Sequence, residues 1–214
     1  MLGPEKHIFV WVPGTMGHEV HPSFDKALKA VVKENYQIIV VDYPATWNFA
    51  ESVPVGKSNL KVALEEIFEE KSEDQVVYVS GSSQGSWVVS DALSERMDLA
   101  VQVHKTVLFG HPGVASSHDH TFDEDETYWE INDPKDAVAF GWNGHEERVI
   151  NAIRDLHHFR LRALKTVAWA LWNHPKTFWH LFFLVAYRLP GFNRHESPHD
   201  YSRQMPLAVY WLLN

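Results

Sequence analysis

The 214-residue chain contains no cysteine, and this absence excludes several kinds of chemistry. A chain without thiols forms no disulfides, has no thiolate nucleophile and builds no cysteine-ligated zinc site. Basic residues are also few, since 19 lysines and arginines stand against 28 aspartates and glutamates, for a formal net charge of -9. Binding to nucleic acid or to anionic lipid requires a basic face, so we expect no nucleic-acid partner.

Long apolar runs and phosphate-binding loops are absent as well. The longest late apolar stretch, residues 177–189, is interrupted by His180 and ends in Arg188, so we expect no stable membrane insertion. The apolar run after the N-terminal residues 1–7 is too short for a signal peptide, and we expect synthesis in the cytoplasm without a secretion signal. No glycine-rich nucleotide-binding motif follows a predicted strand, so we expect no cofactor.

The part of the chain before residue 132 alternates between strand and helix patterns. Near-continuous apolar strands that alternate with helices are typical of a sheet buried on both faces. The sequence therefore predicts an α/β fold, with a central, mostly parallel five-stranded sheet flanked by helices and chemistry at the carboxyl ends of its strands. The predicted strands are 7–12, 37–41, 75–80, 104–109 and 127–131, and the predicted helices are 22–33, 57–71, 84–97 and 207–213.

The second half of the chain changes character at about residue 145. Residues 145–189 are rich in tryptophan, phenylalanine, leucine and histidine, and they include Pro175 at a predicted helix start. We interpret 1–144 and 190–214 as one α/β core and 145–189 as a helical insertion. The aromatic residues of the insertion either border a groove for an acyl chain or pack the insertion onto the core, and both interpretations stay open.

The pentapeptide Gly81-Ser82-Ser83-Gln84-Gly85 stands between a predicted strand and a predicted helix. Gly-x-Ser-x-Gly in that context is the nucleophile elbow of α/β-hydrolases. Its sharp turn strains the serine backbone and leaves room only for glycine two residues to either side. Only Ser83 has glycine at both places, so the pattern predicts Ser83 as nucleophile and the Gln84 N–H as an oxyanion donor.

The fold requires an acid and then a histidine after the serine in chain order. Asp133 and Asp136 follow the fifth predicted strand, and we favour Asp136 because Asp133 precedes proline, which suits a turn. His199 lies in a predicted loop before the terminal helix and is the predicted base, with His195 as the alternative.

A second oxyanion donor is expected from the loop after the first strand, Pro-Gly-Thr-Met-Gly-His at residues 13–18. Its small residues allow the backbone to approach a substrate closely, and we predict the Thr15 N–H, with Met16 as the alternative. In this scheme Ser83 attacks an ester carbonyl, and the Thr15 and Gln84 amides hold the oxyanion.

Two segments resemble metal sites, and we assign neither. Residues 195–199 match His-Glu-x-x-His, but Pro198 would break the helix that a zinc peptidase needs. The acidic segment 118–126 is interpreted as a solvated loop, so no metal is expected. Outside ester hydrolysis, the same triad would serve an acyltransferase, and an inactive binding module is the remaining alternative.

These motifs together resemble those of cutinases and their phage relatives. Gly81 to Gly85 resembles the elbow of that group, with Ser82 in place of an aromatic residue. The order of the motifs is most similar to that of the lysin B esterases of mycobacteriophages, and the 62 residues between Asp136 and His199 match a helical insertion there. The other similar segments are Gly14-Thr15, Lys135-Asp136-Ala137-Val138, with lysine in place of glycine, and His199-Asp200-Tyr201.

The resemblance implies a function as well as a fold. It implies a cutinase-like serine esterase whose substrate is a lipid ester, namely the bond between mycolic acid and arabinogalactan. The enzyme would act on the bacterial envelope during phage lysis, after release from the host cytoplasm. A general lipase or cutinase is the alternative within the same family.

Overall fold

A computed structural model describes residues 6–112, 127–132 and 200–214, together with residues 165, 168, 169, 172 and 173. Five strands and five helices lie within these ranges. The strands are β1 (His7–Val12), β2 (Tyr36–Val40), β3 (Val76–Ser82), β4 (Lys105–Phe109) and β5 (Tyr128–Ile131). The helices are α1 (Pro22–Val31), α2 (Phe49–Glu70), α3 (Gln84–Glu95), α4 (Met97–Ala100) and α5 (Met205–Leu213).

The five strands form one sheet in the order β2-β1-β3-β4-β5. Each neighbouring pair is parallel, which confirms the predicted parallel five-stranded sheet. The chain proceeds from β1 outward to β2 and then returns to the other side of β1 with β3. Such a reversal of strand order opens a crevice between the carboxyl ends of β1 and β3, where ligands bind in open α/β sheets.

Helices cover both faces of the sheet, which explains why its strands are apolar throughout. Ile8, Val10 and Val12 of β1 pack into one buried cluster with α2 and α3. Phe9 and Trp11 point to the opposite face and pack with α1 and α5. Because successive side chains of a strand alternate between faces, a strand that is covered on both sides needs a nearly continuous apolar run.

The start of α2 corrects a sequence prediction. The helix was expected to begin at residue 57, but it begins at Phe49 and includes Pro54. In the sequence Gly56 resembles a helix breaker. In the structure it lies where α2 packs against its neighbours, and a Cβ there would be 2.8 Å from Val88 Cγ2. The glycine therefore serves close packing between elements rather than a turn. Smaller differences affect β3, which extends to Ser82, and α5, which begins at Met205.

Five described residues fall within the predicted insertion. Lys165, Ala168, Trp169, Trp172 and Asn173 are helical, and the Asn173 side chain donates a hydrogen bond to the Trp169 carbonyl at 2.9 Å. The insertion and its bounds stay a prediction, because the rest of 145–189 lies outside the described residues. In the described ranges, no helix is both long and apolar enough to cross a bilayer.

Candidate active site

Ser83 occupies the sharp turn between β3 and α3. Its backbone has φ 52° and ψ −119°, a conformation that residues with a side chain rarely adopt. The turn is held on both sides, because the Ser83 N–H donates to the Phe109 carbonyl at 2.7 Å and the Ser83 carbonyl accepts from the Ser86 N–H at 3.0 Å. The residues 81–85 thus form the strand–turn–helix arrangement expected from the pentapeptide.

The two glycines of the pentapeptide are required by contacts with backbone atoms. A Cβ on Gly81 would lie 2.7 Å from the carbonyl carbon of Gly85. A Cβ on Gly85 would lie 2.1 Å from the Val12 carbonyl oxygen at the end of β1. Backbone atoms cannot rotate away as side chains do, so any larger residue would displace the elbow from β1.

The loop after β1 lies directly against Ser83. A Cβ on Gly14 would be 3.2 Å from Ser83 Cβ, so the loop backbone passes beside the serine. The Met16 N–H donates to the Ala45 carbonyl at 2.6 Å and is therefore engaged away from any substrate. Of the two donors predicted in this loop, the geometry therefore favours the Thr15 N–H. Thr15 is half-buried and lines a cavity that Ser83 also lines.

The backbone at the start of α3 is suited to stabilise a developing negative charge. The Gln84 N–H is the first of the helix, and the positive end of the helix dipole lies there. The Gln84 side chain is 1% exposed, and neither of its polar atoms has a hydrogen-bond partner in the part of the chain that the structure describes. Sequence reasoning considered only the backbone of this residue.

Ser83 opens into a cavity of about 570 Å³ between the carboxyl ends of β1 and β3. A volume of this size accommodates an organic ligand rather than a few waters, since small-molecule sites span about 300–1,000 Å³. The lining contains both aromatic and ionisable residues. Its aromatic members are Trp11, Trp47, Phe49, Trp87, Phe109 and Tyr201, and its ionisable members are His18, Glu19, His21 and Asp200.

The predicted acid and base fall on residues outside the described ranges. This applies to Asp136 and its alternative Asp133, and to His199 and its alternative His195. Segment 118–126, weighed above as a metal site, is also outside. In the described ranges, no group of three or more histidines and carboxylates is placed to hold a metal ion.

A polar network around the buried His111, at the ends of β4 and β5, was missed by sequence reasoning. His111 is 1% exposed, and its Nδ1 lies 3.1 Å from Glu130 Oε1. Tyr128 donates its hydroxyl to Glu130 Oε2 at 3.3 Å, and the His111 N–H donates to Asn132 Oδ1 at 2.9 Å. The sequence signal that could have revealed this network is the position of His111 and Asn132 just after β4 and β5. Polar residues that follow parallel strands lie at the edge of the sheet that carries the site.

Comparisons with known proteins agree with this geometry. The sequence model of the family described as Cutinase matches residues 11–147, more than half of the chain. No curated protein matches the chain. Lysin B from Mycobacteriophage D29 is 16% identical with a TM-score of 0.65, and the alignment covers 98% of this chain and 100% of that one.

Two fungal structures are also similar. A Trichoderma reesei cutinase in complex with a C11Y4 phosphonate inhibitor is 16% identical with a TM-score of 0.56, covering 96% of this chain and 74% of that one. The catalytic core domain of acetyl xylan esterase from Trichoderma reesei is 13% identical with a TM-score of 0.51, covering 76% and 98%. These similarities confirm the cutinase-like α/β-hydrolase fold.

Proposed function

Because this chain belongs to the cutinase family, and is therefore a serine hydrolase that acts on carboxylic ester bonds, we propose that Ser83 is its nucleophile. The observation that carries the proposal is the strained backbone of Ser83 at the start of α3, open to the cavity. Strain of this kind persists only where the surrounding structure enforces it, and it clusters at functional sites. Ser82 has no such backbone conformation, being the last residue of β3.

In the proposed mechanism, His199 removes the proton from Ser83 Oγ as that oxygen attacks the ester carbonyl, while Asp136 orients the imidazole. The protonated imidazole then donates its proton to the leaving alcohol, and an acyl-enzyme remains. A water molecule, deprotonated by His199, attacks the acyl group, and the acid leaves as Ser83 recovers its proton. Asp133 and His195 are the alternatives that variants can separate.

Neighbouring residues support this assignment of acid and base. Asp200, which directly follows His199, lines the same cavity as Ser83. Asn132, which precedes Asp133, follows β5, two strands from β3 in the sheet and at the same edge. These described neighbours support the proposal that Asp136 and His199 serve as acid and base.

The oxyanion is assigned to the backbone amides of Thr15 and Gln84. The engagement of the Met16 N–H with Ala45 supports Thr15, and the helix start supports Gln84. Donors that are already aligned before the reaction stabilise the charge without reorganisation, and losing one of them typically costs about 10²–10³ in rate.

We further propose that the substrate is a lipid ester, most specifically the bond between mycolic acid and arabinogalactan of a mycobacterial envelope. The resemblance to lysin B esterases supports this substrate, as does the apolar part of the cavity lining. The protein would then be made in the host cytoplasm and act on the envelope after release.

Covalent labelling tests the nucleophile. The folded protein is treated with a fluorophosphonate, digested and mapped by mass spectrometry, beside Ser83→Ala and the matched control Ser82→Ala. We expect label on the peptide that contains Ser83 in wild type and in Ser82→Ala, and none in Ser83→Ala. Label that persists in Ser83→Ala would contradict the proposal.

Substrate choice is tested separately. Purified enzyme is incubated with mycolyl-arabinogalactan, with triglyceride and with acetylated xylan, and released acids are quantified. Faster release from the mycolyl substrate supports the proposal, and preferential release of acetate would contradict it while leaving Ser83 as nucleophile.

A further inference from the structure

The loop between β1 and α1 contains a four-residue turn, residues 14–17, beside Ser83. The turn is closed by the Gly17 N–H, which donates to the Gly14 carbonyl at 2.8 Å. Of its two central residues, only Met16 has a positive φ, which is 64°. This is the pattern of a type II turn, whose third position is normally glycine or asparagine because other side chains are strained there. We call residues 14–17 the Met16 turn.

The strained conformation of Met16 is held through its backbone. Met16 is 65% exposed, so burial of its side chain contributes little to holding it in place. Its N–H donates to the Ala45 carbonyl at 2.6 Å, and Ala45 is itself fully buried with a positive φ of 47°. One hydrogen bond therefore joins two residues in a conformation that side chains disfavour. Strain of this kind persists only where the surrounding structure enforces it.

The peptide group between Ala45 and Thr46 is fixed at both of its polar atoms. Its carbonyl accepts from Met16, and its N–H, which belongs to Thr46, donates to Ser52 Oγ at 3.1 Å. Ser52 lies near the start of α2 and is fully buried, so water does not replace this acceptor when the hydroxyl is lost. Because a peptide group is planar, fixing its N–H also fixes the direction of its carbonyl. A chain of contacts therefore leads from α2 to the Met16 turn.

The alternative conformation of the Met16 turn is a type I turn, in which the peptide group between Thr15 and Met16 is turned over. The Met16 N–H then points away from Ala45, and the Thr15 carbonyl faces the Ala45 carbonyl instead. Neither oxygen has a donor in that arrangement, so the turn moves away from Ala45 and takes Thr15 with it. A Cβ on Gly14 would be 3.2 Å from Ser83 Cβ, so a movement of this turn changes its position relative to the serine.

We propose that Met16, Ala45 and Ser52 are positioning residues for ester hydrolysis, and that they act by keeping the Met16 turn in its strained form. They act through Thr15 rather than on the substrate. The strained form holds the Thr15 N–H ready for the oxyanion before a substrate binds, so the reaction needs less reorganisation. This inference rests on the proposed roles of Ser83 and Thr15, and it extends the site to a buried side chain of α2.

Tolerance of a positive φ provides the first test, because Met16 is exposed and its replacement leaves the core intact. Glycine and asparagine adopt a positive φ readily, and isoleucine hardly at all. We measure kcat and KM for 4-nitrophenyl butyrate with the wild-type chain, Met16→Gly, Met16→Asn and Met16→Ile. We expect kcat within about twofold of wild type for the glycine and asparagine variants. For Met16→Ile we expect kcat to fall by about tenfold at unchanged KM, because an oxyanion donor acts in the transition state.

The order of the three Met16 variants decides between two roles of this residue. Isoleucine resembles methionine in apolar character, whereas glycine and asparagine resemble it least. A large loss of kcat in Met16→Gly and Met16→Asn, with Met16→Ile near wild type, would assign a direct contact to the Met16 side chain and overturn the proposal. Equal kcat in all three variants would overturn it as well, because the form of the turn would then not matter. Circular dichroism verifies that each variant is folded at the assay temperature.

The contact from α2 is tested with two buried serines. Ser52→Ala removes the acceptor of the Thr46 N–H. The matched control is Ser80→Ala, because Ser80 is 1% exposed and its hydroxyl has no hydrogen-bond partner in the part of the chain that the structure describes. We expect Ser52→Ala to lower kcat by about threefold or more at unchanged KM, and Ser80→Ala to change neither. A Ser52→Ala variant that loses stability but keeps kcat would limit Ser52 to a structural role and overturn the proposal for it.

Fluorophosphonate labelling shows whether the proposed function itself holds. We expect label on Ser83 in the wild-type chain and, more slowly, in Met16→Ile and Ser52→Ala, because the phosphoryl oxygen occupies the oxyanion position as the reagent reacts. Equal labelling rates in wild type and both variants would contradict the positioning role while leaving Ser83 as nucleophile. Absence of label from wild-type Ser83 would instead disprove the proposed function.

Discussion

The hydroxyl of Tyr43 donates a hydrogen bond to the carbonyl oxygen of Pro13 at 2.6 Å. Tyr43 follows β2 and is 3% exposed, whereas Pro13 begins the loop that carries Thr15. A second bond, from Met16 N–H to the Ala45 carbonyl at 2.6 Å, joins the same two segments. The residues after β2 therefore hold beside Ser83 the loop that we propose supplies an oxyanion donor.

Replacing Tyr43 with phenylalanine removes only this hydroxyl. Burial raises the pKa of the Tyr43 hydroxyl, so it remains a donor throughout the working pH range. We expect Tyr43→Phe to lower the free energy of unfolding by about 1–2 kcal/mol and to reduce kcat more than it changes KM, because the loop loses a restraint. Urea unfolding and ester kinetics measure both effects.

The control for this variant is Tyr210→Phe, since the Tyr210 side chain is exposed. Tyr210→Phe should leave stability and kcat near wild type. If both tyrosine variants behaved alike, the bond to Pro13 would have no role in holding the loop.

The strain at Ser83 predicts a difference between two inactive variants. Neither Ser83→Gly nor Ser83→Ala has the nucleophilic oxygen, but glycine tolerates φ 52° and alanine does not. We expect the free energy of unfolding of Ser83→Gly to exceed that of Ser83→Ala by about 1 kcal/mol. Thermal unfolding of the two proteins tests this, and a more stable alanine variant would show that the turn is not strained.

Glu130 accepts hydrogen bonds from three side chains, those of His111, Tyr128 and Asn132. Glu130→Ala leaves the buried imidazole and the phenol without this acceptor, and we expect the free energy of unfolding to fall by about 1–3 kcal/mol. Chemical denaturation measures the loss. The exposed Glu69 on α2 serves as control, and an equal loss in Glu69→Ala would mean that the network adds nothing specific.

Acid should destabilise the protein through two histidines at the amino ends of the strands, opposite the sheet edge that carries Ser83. His7 and His104 lie on either side of Tyr78, with Tyr78 Oη 3.3 Å from His7 Nδ1. Burial, followed by Lys6 and His104, lowers the pKa of His7 below 6.5, and burial followed by Lys105 lowers that of His104. The folded state binds these protons more weakly than the unfolded state does. The stability contributed by the neutral histidines is therefore fully present above pH 6.5 and is lost as the pH falls through the lowered folded pKa values.

The variant His7→Gln removes one of these titrating groups. We expect the free energy of unfolding of His7→Gln to decrease less than that of wild type between about pH 7 and pH 5. Denaturation at a series of pH values gives both slopes, and identical slopes would contradict the prediction.

Local sequence patterns by themselves determined the strands, most helices and the elbow. Each of these features depends on neighbours in the chain: alternating burial along β1, helical spacing in α1, and the strand–Gly-x-Ser-x-Gly–helix order around Ser83. The early start of α2 did not follow, because Pro54 and Gly56 resemble breakers until Gly56 is seen against Val88. Sequence reasoning also predicted Asp136 as the acid and His199 as the base, and both residues lie outside the described ranges.

The tertiary structure decided the features that join distant segments. Thr15 is favoured over Met16 only because Met16 N–H bonds to Ala45, which lies in a loop after another strand. The ring contacts of Phe49 with Trp47 and with Trp87 likewise join the segment that leads into α2 to α3. Local spacing carries no information about such pairs, because they meet only when the parallel strands bring their carboxyl ends to one edge of the sheet.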